Sequence, residues 1–277
     1  MRKIFMLATG IAIMNIANAQ LPAPSPTETI SQDFGLGKIM VTYSRPGLKN
    51  RTVFMQNSEL APLGKLWRTG ANAATKITFT DKVTMGGKDL DTGTYVVYTI
   101  PGKNQWEIIL NKGLKNWGSD GYQESDDVVR FKVPVTATSP AVESFTMQLA
   151  NVKYQNCELQ MSWGTTMVSI PITTNIVDRI RTQIEQALQS DKKPYWQAAN
   201  FYYEWDKNND KALENVNNAI TESPDAFYMY LLRAKIEKAQ GKKMQAKNDA
   251  QKCKDLAMAA KNDDYVTQAD ELLKSLK

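Results

Sequence analysis

Residues 157–173 read Cys157-Glu158-Leu159-Gln160-Met161-Ser162-Trp163-Gly164-Thr165-Thr166-Met167-Val168-Ser169-Ile170-Pro171-Ile172-Thr173. Apolar side chains fall at every second position: Cys157, Leu159, Met161 and Trp163, then Val168, Ile170 and Ile172. Successive side chains of a strand point to opposite faces, so this spacing predicts strands with one face buried and one face wet. Gly164-Thr165 interrupts the run, and Gly-X is a two-residue hairpin signal. A turn is therefore expected there, between two strands. Working outward, the same period holds in Val129, Phe131, Val133 and Val135, and again in Phe145, Met147 and Leu149. Further strands are expected at 38–43, 75–80, 94–100 and 105–110, with turns at Gly86-Gly87 and Asp91-Thr92-Gly93. Pro134 has no N–H to give to a ladder and belongs at an edge or a bulge. Many short strands with one apolar face imply two sheets packed face to face. The expected fold of 38–173 is an antiparallel β-sandwich, with jelly-roll order among the topologies allowed. The long segment 111–127, with Gly113, Gly118, Gly121, Trp117 and Tyr122, is expected to pack on something or to bind something.

From Asn175 the period changes. Ile176, Ile180, Ile184 and Leu188 lie on one helical face. Lys192-Lys193-Pro194 ends that helix, and Pro194 suits the first turn of the next. Counting from Lys193, position 4 is Trp196, 7 is Ala199, 11 is Tyr203, 20 is Ala212, 27 is Ala219 and 32 is Pro224. This resembles the tetratricopeptide repeat, a 34-residue helical hairpin. A second frame from Phe227 keeps Tyr230, Ala234, Gly241 and Ala246, but has Arg233 at position 7, Glu237 at 11 and Met258 at 32, so it is degenerate. The resemblance covers roughly residues 193–260 and implies a helical-hairpin domain over 174–277, with flanking helices at 176–190 and 263–276. Such repeats stack because one alone cannot bury its apolar face. The partner it implies is a protein or peptide held by the helices, with capping of the β domain as the other role weighed.

The chain has 277 residues, with 34 Lys+Arg, 29 Asp+Glu and no His. The missing histidine excludes Ser-His-Asp triads, imidazole general bases and His-ligated metals. No metal and no cofactor are expected. Residues 20–173 carry 15 basic and 13 acidic residues, and residues 174–277 carry 17 and 16. The signs are interleaved, so the concentrated basic surface of a nucleic-acid binder is missing and no nucleic-acid partner is expected. Cys157 and Cys253 fall in different domains and read as two separate buried thiols rather than as a bridge.

Residues 1–19 have the pattern of a secretory signal peptide: Arg2-Lys3, an apolar stretch from Ile4 to Ile16, and small residues at Ala17 and Ala19. Cleavage is expected between Ala19 and Gln20, giving an exported, periplasmic or secreted protein. The apolar run is shorter than the roughly 20 residues of a membrane span, and no transmembrane segment is expected. Residues 20–37, rich in Pro, Ser and Thr, read as an extended lead-in.

Two segments look over-specified for packing alone: Tyr43-Ser44-Arg45-Pro46-Gly47, and Gly64-Lys65-Leu66-Trp67-Arg68-Thr69-Gly70-Ala71-Asn72 with Ala73-Ala74-Thr75 after it. With Gly93-Thr94-Tyr95 and Trp106, these segments resemble the bacterial family catalogued as domain of unknown function 2911. The resemblance spans roughly residues 30–173 and implies an exported β domain, in some members followed by helical repeats. It implies no activity.

Arg45 and Arg68 offer planar forks of donors that suit a carboxylate, phosphate or sulfate. Trp67 would add a flat apolar face, and Tyr43, Lys65, Thr69 and Asn72 would add hydrogen bonds. Together these seven residues form the candidate site for a small anionic or sugar-like ligand. The competing reading ties Arg68 to an acid and buries Trp67 in the core. The favoured function is a non-enzymatic binding or envelope-assembly module. The alternative is a carbohydrate-active or other hydrolase using Arg, Lys and carboxylates of the β domain, whose chemistry needs no histidine. Two weaker motifs fall away. Asp206, Asn208 and Asp210 start like a calcium loop, but Lys211 and Asn217 stand where Gly and Glu are required. Glu124, Asp126 and Asp127 read as a solvated loop.

Overall fold

A computed structural model describes residues 21–276; the expected signal peptide and its cleavage site lie outside the described residues. The chain divides into two compact units, Met1–Thr173 and Thr174–Lys277.

The first unit is an antiparallel β domain. Its strands are β1 (Thr27–Phe34), β2 (Gly37–Ser44), β3 (Thr75–Phe79), β4 (Val83–Met85), β5 (Lys88–Leu90), β6 (Gly93–Ile100), β7 (Gln105–Asn111), β8 (Asp127–Ala150) and β9 (Asn156–Thr173). They form one nine-stranded order, β1-β2-β3-β6-β7-β8-β9-β4-β5. The alternation seen in the sequence has its expected cause. Ile39, Val41, Tyr43, Leu159, Met161 and Trp163 are buried in one core, while the residues between them face outward or lie half-buried.

Three expectations change. The lead-in 20–37 contains β1, which pairs with β2 from Thr27↔Ser44 to Phe34↔Gly37. The hairpin expected at Gly164-Thr165 is not made: β9 runs straight through it. Gly164 adopts a left-handed φ of 59° and pairs with Val142 at a register shift, so it supplies a bulge rather than a turn. The ladder continues past it because β8 runs on as the partner strand. β8 is likewise one strand, not two. Pro134 lies opposite Gln105, where β8 leaves β7; the next residue, Val135, is already opposite Val168 of β9. Its missing N–H therefore falls at the changeover between ladders. Gly86-Gly87 does form the expected two-residue turn, with both φ values positive, between β4 and β5.

β6 and β7 are buried on both faces, which explains why Tyr95-Val96-Val97-Tyr98 does not alternate. Val96, Tyr98 and Ile109 form a second apolar cluster with Ala74, Leu66 and Tyr122. Tyr122 belongs to the long 111–127 segment, so that segment packs over the outer face of the sheet.

The second unit has six helices: α1 (Val177–Ala187), α2 (Tyr195–Glu204), α3 (Asn209–Glu222), α4 (Phe227–Ala239), α5 (Lys243–Ala259) and α6 (Asp263–Ser275). Small residues let them approach: Ala198, Ala199, Ala212, Ala219, Ala234, Ala246 and Ala250 are buried in a single core. Asn208 caps α3, accepting from Lys211 N at 3.1 Å. Asp206, Asn208 and Asp210 thus mark the connection between two helices.

Arg233, the misfit of the second repeat frame, forms a bidentate pair with Asp249 of α5 (2.5 and 2.8 Å) and also donates to Asn217 of α3 at 2.9 Å. The guanidinium on α4 is met by a carboxylate on the facing helix α5. Cys157 and Cys253 are both free and buried, each in its own unit; burial pushes each thiol up to about 11. Among the described residues no helix is long and apolar enough to cross a membrane.

Candidate functional site

The Trp67–Asn72 loop leads into β3 and is held by the sheet beneath it. Trp67 and Thr99 exchange backbone hydrogen bonds of 2.8 and 3.0 Å. The Trp67 indole turns inward and donates to Gly70 O at 3.1 Å. It stacks on Trp163 with ring centroids 5.8 Å apart and meets Phe145 edge-on at 5.1 Å. Only 5% of Trp67 is exposed, so it has no face left for a ligand. Thr69 is fully buried; its hydroxyl lies 3.1 Å from that of Thr99, and its carbonyl accepts from Thr75 Oγ1 at 2.5 Å. Thr69 also has φ 56°. A β-branched residue in the left-handed region is strained. The loop is thus fixed at both walls, and Arg68, between Trp67 and Thr69, is turned outward.

Arg68 is half-buried and makes no ion pair among the described residues. Its Nη1 donates to Asn72 O at 2.8 Å. The guanidinium lies against Gly118, where a Cβ would come within 2.6 Å of Nη1 and 2.7 Å of Cζ. Gly118 has φ 61°. Glycine suits this left-handed conformation, and any side chain here would displace the Arg68 guanidinium. One of five N–H donors is committed, which leaves the rest of the fork for another acceptor.

Arg45 is built differently. Its Nη1 lies 3.3 Å from Glu28 Oε2, its Nη2 donates to Thr146 Oγ1 at 2.9 Å, and its Nε donates to Phe145 O at 3.3 Å. All three edges of the fork are used, so Arg45 clips β1 and β2 to the distal part of β8. It borders a cleft of about 310 Å³ with Pro24, Lys49 and Glu143.

Tyr43 belongs to the same clip. Its hydroxyl donates to Glu28 at 2.5 Å and accepts from Met147 N at 2.9 Å. Burial, and then the Glu28 carboxylate, push this phenol up to about 12. Asn72 is exposed and donates to Ser25 O at 3.1 Å, while Lys65 is exposed on the approach to the loop. The two segments adjoin through Asn72 Nδ2 and Ser44 Oγ, 3.4 Å apart. Among the described residues the two guanidiniums share no partner. Of the seven predicted residues, Arg68, Asn72 and Lys65 face outward on one segment, Tyr43 and Arg45 form a structural clip, and Trp67 and Thr69 are core.

Sequence reasoning did not connect Arg68 with Trp117. Trp117 precedes Gly118, the residue on which Arg68 rests, and it is 65% exposed. The turn that carries it is fixed: Asp120 N donates to Trp117 O at 3.0 Å, the buried Tyr98 hydroxyl donates to Gly118 O at 3.1 Å, and Asn116 Nδ2 donates to Tyr98 Oη at 3.2 Å. The three glycines of 111–127 were the available signal, but nothing in their spacing named Arg68 as the partner. Among the described residues there is no group of three or more His, Cys, Asp or Glu able to hold a metal.

The architecture is thus an antiparallel β domain with a strained Trp-Arg-Thr-Gly-Ala-Asn loop at the start of its third strand, followed by an all-α region. Residues 25–172 match the family described as "Protein of unknown function (DUF2911)". The match spans more than half of the chain, and the chain belongs to that family. No curated protein and no solved structure matches it.

Proposed function

We propose that this protein is an exported, non-enzymatic binding module: its β domain holds a small anionic or sugar-like ligand at Arg68, and its helical region docks a protein partner. The observation that carries the reading is the state of Arg68. A cation with no carboxylate partner and one committed donor among the described residues, on a loop tied to the sheet beneath it, is arranged to receive an anion.

The finer architecture belongs to the same proposal. The β domain is read as a sandwich because Tyr43 reaches Met147, and Trp67 stacks on Trp163, across a single core. The helices are read as two degenerate tetratricopeptide-like hairpins because α3 and α5 begin 34 residues apart, at Asn209 and Lys243. The first turns of α2, α4 and α6 also meet through Trp196–Tyr228 and Phe227–Tyr265, each with centroids 4.9 Å apart. Export, into the periplasm or beyond, rests on the signal-peptide pattern of residues 1–19.

The test is a thermal-shift screen of the full chain against small carboxylates, phosphate, sulfate and monosaccharides. A ligand that binds the native state raises the melting temperature in proportion to RT ln(1 + [L]/Kd). The expected result is a hit that Arg68→Gln erases and Arg45→Gln leaves in place, although Arg45→Gln melts lower without ligand. A hit indifferent to Arg68→Gln, or steady turnover of the compound bound, would contradict the proposal.

A further inference from the structure

We infer that the edge formed by Arg68 and Trp117 takes a uronic-acid residue of an acidic polysaccharide, its carboxylate on the guanidinium and its pyranose ring on the indole. The inference rests on the Arg68 reading above and names the ligand class for that site.

Three observations converge. First, Arg68 spends one donor on Asn72 O and packs against Gly118, so an edge of its fork is open to a planar, two-oxygen acceptor. A carboxylate fits that edge with two parallel hydrogen bonds. Second, Trp117 is the chain neighbour of Gly118, with Cα atoms about 3.8 Å apart. It leaves 65% of its surface in water. A mobile loop would let such a side chain fold away. This turn is instead held through Gly118 O by Tyr98, which is itself fully buried. The backbone that carries this large, exposed ring is thereby held next to the glycine on which Arg68 rests. The C–H face of a sugar ring offers such an indole apolar contact, and the hydroxyls at the ring edge stay in water. Third, the charge is sparse. Residues 20–173 carry 15 basic and 13 acidic residues, and the exposed Lys115 and Asp120 that flank Trp117 on its own segment have opposite signs. One guanidinium matches one carboxylate per ring. Phosphate groups are usually met by several cations, a helix N-terminus or a nest of backbone N–H groups. A nucleotide, with its base on Trp117 and its phosphate on Arg68, is therefore the disfavoured occupant.

The experiment is isothermal titration of the full chain with an oligogalacturonate, a neutral oligoglucan of equal length, acetate and a mononucleotide. It is repeated on Trp117→Ala, Trp117→Phe and Arg68→Gln, each with its melting temperature recorded. The uronate should bind at least about tenfold more tightly than the neutral oligomer, acetate or the nucleotide. Trp117→Ala and Arg68→Gln should each weaken it by about tenfold or more, and Trp117→Phe should keep most of the affinity. Trp117→Ala removes an exposed ring, so its fold is retained and the test holds even if Arg68→Gln loosens the loop. Preference for the nucleotide, or uronate binding unchanged in Trp117→Ala, overturns the inference. Arg68-dependent binding of acetate with no gain from the sugar ring overturns it too, while leaving the Arg68 site intact. No binding by any of the four overturns both.

Discussion

Two arginines of the same chemistry do different work here because of what surrounds them. Arg45 meets Glu28, Thr146 and Phe145 O, and it joins strands more than a hundred residues apart in sequence. Arg45→Ala would leave the Glu28 carboxylate and a strand carbonyl short of a donor. We expect it to lower stability by about 1–2 kcal/mol, measured by chemical denaturation, with ligand affinity per folded molecule unchanged.

Glu237 provides a pH-dependent test of the same kind. It is buried on α4 with one carboxylate oxygen lacking a hydrogen-bond partner. Burial first, and then the negative charge of Asp249, push it from the ordinary 4.5 up to about 7, while Arg233 and Lys242 pull it down. A raised carboxyl favours the protonated folded state. Its contribution is therefore fully present below about pH 4.5 and is lost as pH rises through about 7. The slope is at most about 1.4 kcal/mol per pH unit. Glu237→Gln should flatten that part of the stability profile and raise the melting temperature near pH 8. An unchanged profile would place the proton elsewhere.

At the scale of elements, β4 and β5 meet at Gly86-Gly87. A Cβ at Gly86 would come within 2.1 Å of the Phe131 ring, and φ there is 60°. Gly86→Ala should therefore cost about 2 kcal/mol or more through overlap and backbone strain, seen as a lower denaturation midpoint. Gly87→Ala meets no neighbouring atom within 4 Å, and it should cost only the strain.

The same elements define what could be read from sequence. β2, β3, β6 and β7 were legible because their inward residues repeat with period two or run continuously apolar. β1 was not: it sits at the sheet's edge, and its pattern of exposed and half-buried residues reaches full burial only at Phe34. β8 and β9 were split because their pattern breaks where each changes partner or bulges, as at Gly164. The Arg68 loop was legible because its residue types are unusual for a turn. The fate of Arg45 was hidden because Glu28 lay in a stretch that reads as lead-in. The link to Trp117 was hidden because only the fold brings residue 117 to residue 68.

Across the whole molecule, two units have separate cores: an antiparallel β domain that carries the Arg68 loop, and an all-α region of six helices. Both are near charge balance, so binding at Arg68 is expected to be local rather than steered by a long-range field. Raising salt from 50 to 200 mM should weaken it by no more than about fourfold, as one contact implies, where several contacts would give orders of magnitude. The most direct measurement follows the side-chain Nε–H resonances of Arg45 and Arg68 by NMR while an oligogalacturonate is added. The Arg68 signal is predicted to shift and saturate while the Arg45 signal stays in place. A shift at Arg45 with Arg68 unmoved, or no shift at either, would contradict the assignment of the open cation to Arg68.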